Sequence, residues 1–413
     1  MPRKLVFTLS VLMCFAVSLA CGGGSVTTPA VSQTPSPSPS ATITSTPSPI
    51  VTPTPTLPAI MAGSRHSVAV LSDGTVLTWG NNSDGQLGLG DTDDRNTPLQ
   101  VSELDGKSVS QLISGGFHNF ALCENGSIYT WGQNGFGQLG LGNELPRHDP
   151  ALFEGLPDKV VVQLVAGHTH SMALCSDGSV YAWGDNYYGQ LGLGDSGGGT
   201  HRNAPVTVSG LTDKGVIRLY AARFSSFALC SDGSIYAWGN NFAGQLGLGD
   251  SGAGTNREIP TYSVLLSDLG MVSVCGGNYH TVGLSSSGSV HIWGDGETTP
   301  LIVPEFAGLE VTQLSAGYDH MLALLKDGSV YGWGSNSNGQ LGLGDASWID
   351  APTPIGGLGG ITLVWVSTHG DHTLALGADG LIYAWGANSF GQLGLGDYGA
   401  GTDRKFPRLW RDW

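Results

Sequence analysis

Short runs of alternating apolar and polar residues recur in a fixed order along most of the chain. In the second copy, Val109-Ser110-Gln111-Leu112-Ile113 alternates with period two, and Gly115-Gly116-Phe117 turns the chain. Two more such runs, His118-Asn119-Phe120-Ala121-Leu122-Cys123 and Ser127-Ile128-Tyr129-Thr130-Trp131, flank Glu124-Asn125-Gly126, and Pro150-Ala151-Leu152-Phe153 completes the unit. Period-two runs bury one face of a strand, and a polar residue followed by Gly between two of them marks a tight hairpin. That pair recurs as Asp73-Gly74, Asn125-Gly126, Asp177-Gly178, Asp232-Gly233, Asp327-Gly328 and Asp379-Gly380, with Ser287-Gly288 as the variant. Each copy therefore predicts four short antiparallel strands.

Trp-Gly punctuates the copies at Trp79, Trp131, Trp183, Trp238, Trp293, Trp333 and Trp385, at intervals of 52, 52, 55, 55, 40 and 52 residues. Seven units of about 50 residues predict an all-β, seven-bladed β-propeller of four-stranded antiparallel blades, spanning residues 59–413. The first repeat begins at Pro58-Ala59-Ile60-Met61 with no Pro-led strand before it, whereas the last ends with one, Phe406-Pro407-Arg408-Leu409-Trp410. The two ends are expected to meet and pair. The short fifth interval marks a deletion: Trp293-Gly294-Asp295-Gly296 runs straight into Glu297, leaving a notch in the rim.

Before the repeats, Arg3 and Lys4 precede an apolar stretch, Leu5 to Val17, too short to span a bilayer comfortably. Ser18-Leu19-Ala20-Cys21 resembles a bacterial lipoprotein box, so residues 1–20 read as a cleaved signal peptide and Cys21 as the lipidation site. Residues 21–58 are rich in Pro, Ser and Thr and lack aromatics, which makes them a linker without a core. Extended at roughly 3 Å per residue, it reaches on the order of 100 Å. The expected location is therefore outside the cytoplasm, membrane-anchored at the cell surface or in the periplasm, with the lipid as the sole membrane contact.

Composition narrows the partners. Glycine supplies 65 of 413 residues and charged residues only 12%, against about 25% in ordinary domains, which fits turn-rich β structure. Seventeen basic against 33 acidic residues give a net charge of −16, with no basic run. Nucleic acid is excluded as a partner on that ground.

The pattern Gly-x-x-His, Ala-Leu, Asp-Gly-x-Val-Tyr-x-Trp-Gly-x-Asn-x-x-Gly-Gln-Leu-Gly-Leu-Gly resembles the regulator of chromosome condensation repeat. Six copies of Gly-Gln-Leu-Gly-Leu-Gly, at 85–90, 137–142, 189–194, 244–249, 339–344 and 391–396, carry the likeness over residues 60–413. The resemblance implies a seven-bladed propeller that acts mainly by binding proteins. Nucleotide exchange on a GTPase, known in that family, is not expected of an exported acidic chain.

Motifs with chemical potential read as architecture. No Lys-Ser or Lys-Thr follows the Gly-rich segments, so they are turns whose leucines plug between blades rather than phosphate loops. His66, His118, His170, His280, His320 and His372 recur on separate blades around a channel too wide for one metal ion, and are expected to hydrogen-bond within their own blades. Asp91-Thr92-Asp93-Asp94 and Asp195-Ser196-Gly197 match no calcium loop. No catalytic constellation can be assembled, so neither enzyme activity, metal nor cofactor is expected. Cys123, Cys175 and Cys230 are filler at one repeat position; a Cys230–Cys275 bridge stays open.

Function then falls to positions that do not repeat. The turn joining strands one and two and the loop joining strands three and four share one face of each blade. The turns carry Ser64 and Arg65, Gly116 and Phe117, His168 and Thr169, Arg223 and Phe224, Asn278 and Tyr279, Tyr318 and Asp319, and Gly370 and Asp371. The loops carry Phe136, Tyr187, Tyr188, Phe242 and Phe390. Aromatics and Arg anchor interfaces, which makes Arg65, Phe117, Arg223, Phe224, Tyr279, Tyr318 and the loop aromatics the candidate ligand-binding set. The expected protein is a monomer that binds an extracellular protein or peptide. A glycan-binding adhesin, with the same rings stacking on sugars, is the alternative, and an extracellular lyase or hydrolase the third.

Overall fold

A computed structural model describes residues 59–410; the segments expected to be signal peptide and linker, with Cys21, lie outside them. The repeats fold as seven separate four-stranded antiparallel sheets, each with its strands in chain order. The first blade comprises β1 (Ala59–Ala62), β2 (His66–Val70), β3 (Val76–Gly80) and β4 (Arg95–Gln100). In the second, the strands are Val109–Ser114, His118–Cys123, Ile128–Gly132 and Arg147–Leu152, within three residues of the sequence expectation. Hairpin glycines such as Gly74 (φ 85°) and Gly126 (φ 83°) take the left-handed conformation their turns require.

The core is seven clusters, one between each pair of neighbouring blades. The cluster joining blades one and two packs Val68, Val70 and Val76 against Leu112, Ala121 and Trp131. The closing cluster joins blades seven and one, with Ile60, Ala69 and Trp79 against Leu374, Ile382 and Leu393. Second strands such as His118–Cys123 are buried throughout, whereas the outermost strands face solvent. Leu87, Leu139, Leu191, Leu246, Leu341 and Leu393, the first leucine of each Gly-rich segment, are fully buried plugs.

Closure differs from the expectation. The last strand, Arg404–Leu409, pairs with Ile382–Gly386 of its own blade, and Ala59–Ala62 pairs with His66–Val70. Each repeat is already a complete blade, so no strand is left to exchange. The circle closes instead by packing. Trp410 lies against Trp79 with ring centroids 4.8 Å apart, and Gly396 N donates to Asn96 O at 2.9 Å.

Candidate functional site

The Gly-Gln-Leu-Gly-Leu-Gly loops are folded by their own side chains and reach across to the next blade. In the first, Asn82 Oδ1 accepts from Leu87 N at 2.9 Å, Gln86 Oε1 accepts from Asp84 N at 2.8 Å, and Asn82 Nδ2 donates to Asp91. Arg95 ion-pairs with Asp91, and the same pair recurs as Arg202–Asp195, Arg257–Asp250 and Arg404–Asp397. These carboxylates are spent on loop structure. Among the described residues, no group of three or more His, Cys, Asp or Glu is placed to hold a metal ion.

The recurring histidines bond the following blade, not their own. His118 Nε2 lies 2.9 Å from Ser171 Oγ, whose hydroxyl donates to Gln138 O at 2.9 Å. The hydroxyl has one proton and gives it to the carbonyl, so the imidazole must carry its proton on Nε2. His66–Asn119, His170–Ser226 and His372–Ser67 repeat the contact at 2.9–3.0 Å, whereas His320 reaches Thr368 at the end of a first strand, 2.9 Å away, whose hydroxyl donates to the His372 carbonyl. Their Nδ1 atoms are buried without partners. Burial pushes His118, His170, His320 and His372 down to about 3 and His66 to about 4. The Gly of Gly-x-x-His is steric: a Cβ on Gly63 would sit 2.2 Å from the His66 imidazole. In the fourth blade, where Ser225 replaces His, Ala222 replaces that Gly.

The Gln carbonyls take a second donor, the indole N–H of the next blade. Trp79, Trp131, Trp183, Trp238 and Trp293 donate to Gln392, Gln86, Gln138, Gln190 and Gln245 at 2.8–3.1 Å. Blade five has no such loop. Its third and fourth strands are joined by Asp295-Gly296 alone, and Gly296 N bonds back to Ala243 O of blade four. The blade-seven indole, Trp385, is buried without such a bond although blade six carries the loop, and in blade six, which follows the missing loop, the residue after His320 is Met321. Elsewhere that position holds Ser67, Asn119, Ser171, Ser226, Thr281 or Thr373, each bonded to a Gln carbonyl at 2.8–2.9 Å. Sequence reasoning missed this row, although its signal was a single Met among hydroxyls and an Asn.

Turn residues from opposite sides of the circle meet at the centre of the loop face. The His168 and His369 imidazoles of blades three and seven stack at 6.1 Å and 8°, and Phe117, Phe224 and Tyr318 stand edge-on to His168 at 5.6–6.1 Å. Ser64 Oγ lies 3.3 Å from His168 Nδ1. Blades one, two, three, four, six and seven thus close the channel at this end. Burial, with the Arg223 and Arg65 charges, lowers His168 to about 4, and burial with His168 and Arg223 holds His369 well below its usual value. His168 and His369 thus form a plug. From the other face, a cavity of about 500 Å³ runs in between the first strands, lined by Gln111, Gln163, Arg218, Cys275, Gln313 and Trp365 among others.

The remaining candidates divide by exposure. Phe136, Tyr187, Phe242 and Tyr279 are exposed, as are Trp348 and Tyr398 on the same face. Tyr188 packs between Tyr187 and Phe224, and Phe390 lies under the exposed Arg65, 4.9 Å from its guanidinium carbon. Arg223 stacks on both Phe224 and Tyr318 and donates to Asn278 Oδ1. Cys230 and Cys275 are both free, Cys230 ending a second strand and Cys275 lying on a first strand.

A family model described as the regulator of chromosome condensation (RCC1) repeat matches residues 73–122, 125–174, 177–229, 232–284 and 327–376. A second model of the same description matches 59–86, 109–138, 161–190, 311–340 and 370–392. The chain belongs to the RCC1 repeat family. Residues 285–310, which hold the shortened fifth-blade connection, match neither model of the RCC1 repeat. The ultraviolet-B receptor UVR8 of Arabidopsis thaliana is 33% identical over 363 residues, covering 85% of this chain and 80% of the receptor. The E3 ubiquitin-protein ligase HERC2 of Homo sapiens is 31% identical over 341 residues, but the match spans only 6% of that protein. Yeast RCC1 (Prp20), solved bound to Kap60, shares the fold at a TM-score of 0.71, with 23% identity and 85% of each chain covered.

Proposed function

We propose that this chain is a binding protein that takes a protein or peptide partner on the loop face of its propeller. One observation carries the reading. Phe136, Tyr187, Phe242, Tyr279, Trp348 and Tyr398 are each more than two-fifths exposed on that face, while the Asn and Gln side chains already hold the loops. Rings left this open to solvent and gathered on one surface have the composition of interface anchors. A propeller of the same repeat solved in complex with Kap60 is in keeping with this role.

The proposal includes export and a lipid anchor at Cys21, supported by the basic start, the apolar stretch and the Ser18-Leu19-Ala20-Cys21 sequence. Palmitate incorporation checks it, expected in the wild type and lost in Cys21→Ala. For the binding role, the full chain is used to capture partners from extracellular protein and glycan panels. Phe242→Ala with Tyr187→Ala should weaken capture about tenfold or more and leave the melting temperature within a degree or two. Capture of glycans alone would transfer the reading to carbohydrate binding, and capture indifferent to both substitutions would remove the loop face as the site.

A further inference from the structure

The arginines of the loop face fall into two sets. Arg95, Arg202, Arg257 and Arg404, each opening a fourth strand, are ion-paired to the Asp that ends their own loop. Arg147 occupies the same place in the second blade, whose loop carries Asn143 instead of Asp. Arg65 and Arg223 differ from all of these. Both sit on first-to-second-strand turns at the centre of the face and both lie flat on aromatic rings, Arg65 on Phe390 and Arg223 on Phe224 and Tyr318. Neither forms an ion pair with a described carboxylate. Arg223 bonds only the neutral Asn278 amide, and its Nε is buried without a partner.

Stacking on an aromatic face fixes the plane of a guanidinium and leaves its N–H edge directed outward, the geometry that grips a carboxylate with two parallel bonds. The two arginines border the same group of rings: Arg65 follows Ser64, whose Oγ lies 3.3 Å from His168 Nδ1, and Arg223 stacks on Tyr318, whose ring is 6.1 Å from that of His168. His369, stacked on His168, has its Nε2 buried with no hydrogen-bond partner. Asp371 feels both arginines without pairing to either, and burial together with Asp319 raises its pKa despite them. Asp319 is held by Asn278 Nδ2 at 2.9 Å. The fold therefore leaves two oriented cations and a buried orphan nitrogen together, in a protein whose net charge is −16.

We infer that Arg65 and Arg223 form an anion-recognition centre that takes a carboxylate of the peptide or protein partner, with the exposed aromatics around it gripping the flanking residues. The inference rests on the loop-face binding reading and names its partner's chemistry. The carboxylate can come from an Asp or Glu side chain or from a peptide C-terminus.

The test is an array of synthetic decapeptides, rich in Asp and Glu, rich in Lys and Arg, or free of charge, each made as a C-terminal amide and as a free acid, and probed with the full chain. Acidic amides should bind if side-chain carboxylates are the ligand, and uncharged free acids if the terminus is. Arg65→Gln and Arg223→Gln should each weaken the best of these about tenfold or more, with Arg65→Lys retaining part of the affinity. Arg65 is exposed, so its variants keep the test decisive even if Arg223→Gln unfolds. Binding that needs Phe242 but ignores both arginines and the peptide's acids overturns the anion centre and leaves the loop-face reading standing. Absence of any Phe242-dependent peptide removes both. Concentration-dependent dimerisation of the chain, lost in Arg65→Gln, would assign the carboxylate to a second copy and overturn the partner proposed.

Discussion

The seam between blades one and two and the seam between blades five and six solve one problem in two ways. At the first, Val68 and Val76 pack on Trp131, and above that apolar contact Asn119 joins His66 to the Gln86 carbonyl, which also receives the Trp131 indole. At the second there is no Gln loop, Met321 stands in Asn119's place, and His280 Nε2 is buried without a partner. There Phe306 fills in, its ring 5.7 Å from that of Trp333, where the connection from blade one to blade two carries Leu104. The polar latch and the larger apolar wedge are alternatives, and position 321 follows whichever is present. Once the carbonyl is gone, a hydroxyl there would be one more buried donor without an acceptor, which costs about 1–3 kcal/mol, whereas a thioether adapts to the space.

Acid should have the largest effect, and it reaches the unlatched seam too, because burial lowers His280 to about 4. The latch needs neutral imidazoles, because a second proton on Nδ1 would be buried with no acceptor. Burial lowers the folded pKa of five seam-crossing histidines, His66, His118, His170, His320 and His372, to about 3 or 4, against 6.5 for the exposed group. The unfolded chain therefore binds more protons in this range. The stabilisation is complete above about pH 6.5 and is withdrawn as pH falls towards 4, at about 1.4 kcal/mol per pH unit for each imidazole. Five together outrun a typical stability of about 5–15 kcal/mol within about two pH units. Thermal melts should fall steeply between pH 6 and pH 5, and a flat profile down to pH 4.5 would sink the latch. Copying the fourth blade into the second, as Gly115→Ala with His118→Ser, should reduce the slope by about one proton.

The architecture was legible because backbone chemistry repeats: Asp-Gly turns, Trp-Gly strand ends and period-two runs each have one local reading, and seven copies average out the errors. The histidine partners were not legible. Gly-x-x-His is a local signature, but the atom that His66 bonds lies 53 residues away on Asn119, and only the rotation from blade to blade decides that the contact crosses the seam. The closure failed for a related reason. A trailing Pro-led strand invites exchange only if the first blade lacks one, and Arg95–Gln100 already supplies it. At the candidate site, sequence identified the variable turns by face. It could not sort exposed Tyr279 from half-buried Tyr318, because that depends on His168 reaching across the channel from the far side.

A smaller effect separates the two seams residue by residue. Ser171→Ala removes a hydroxyl that serves two buried groups, leaving the His118 Nε2–H and part of the Gln138 carbonyl unsatisfied. The loss should be about 1–3 kcal/mol, read from chemical denaturation at pH 7 with an unchanged m-value.

Met321→Thr should have the smallest effect, because its two consequences oppose each other. Burial of the Met321 side chain, only 5% exposed, contributes roughly 1.5–3 kcal/mol, and Thr returns only part of that. Against this, a Thr hydroxyl at the latch position gives His280 Nε2 an oxygen to bond, relieving an unpaired buried group worth about 1–3 kcal/mol. The hydroxyl's own proton still finds no Gln carbonyl, so the latch is half restored. The net change should stay within about 1 kcal/mol, while the His280 Nε2–H resonance becomes protected from exchange. A loss as large as that of Ser171→Ala, with no protected imidazole proton, would mean that the fifth seam is an apolar joint outright and that His280 has no latent place in the series. Adding a Gly-Gln-Leu-Gly-Leu-Gly loop after Gly294 to the Met321→Thr chain supplies the carbonyl, and should then turn the small change into a gain.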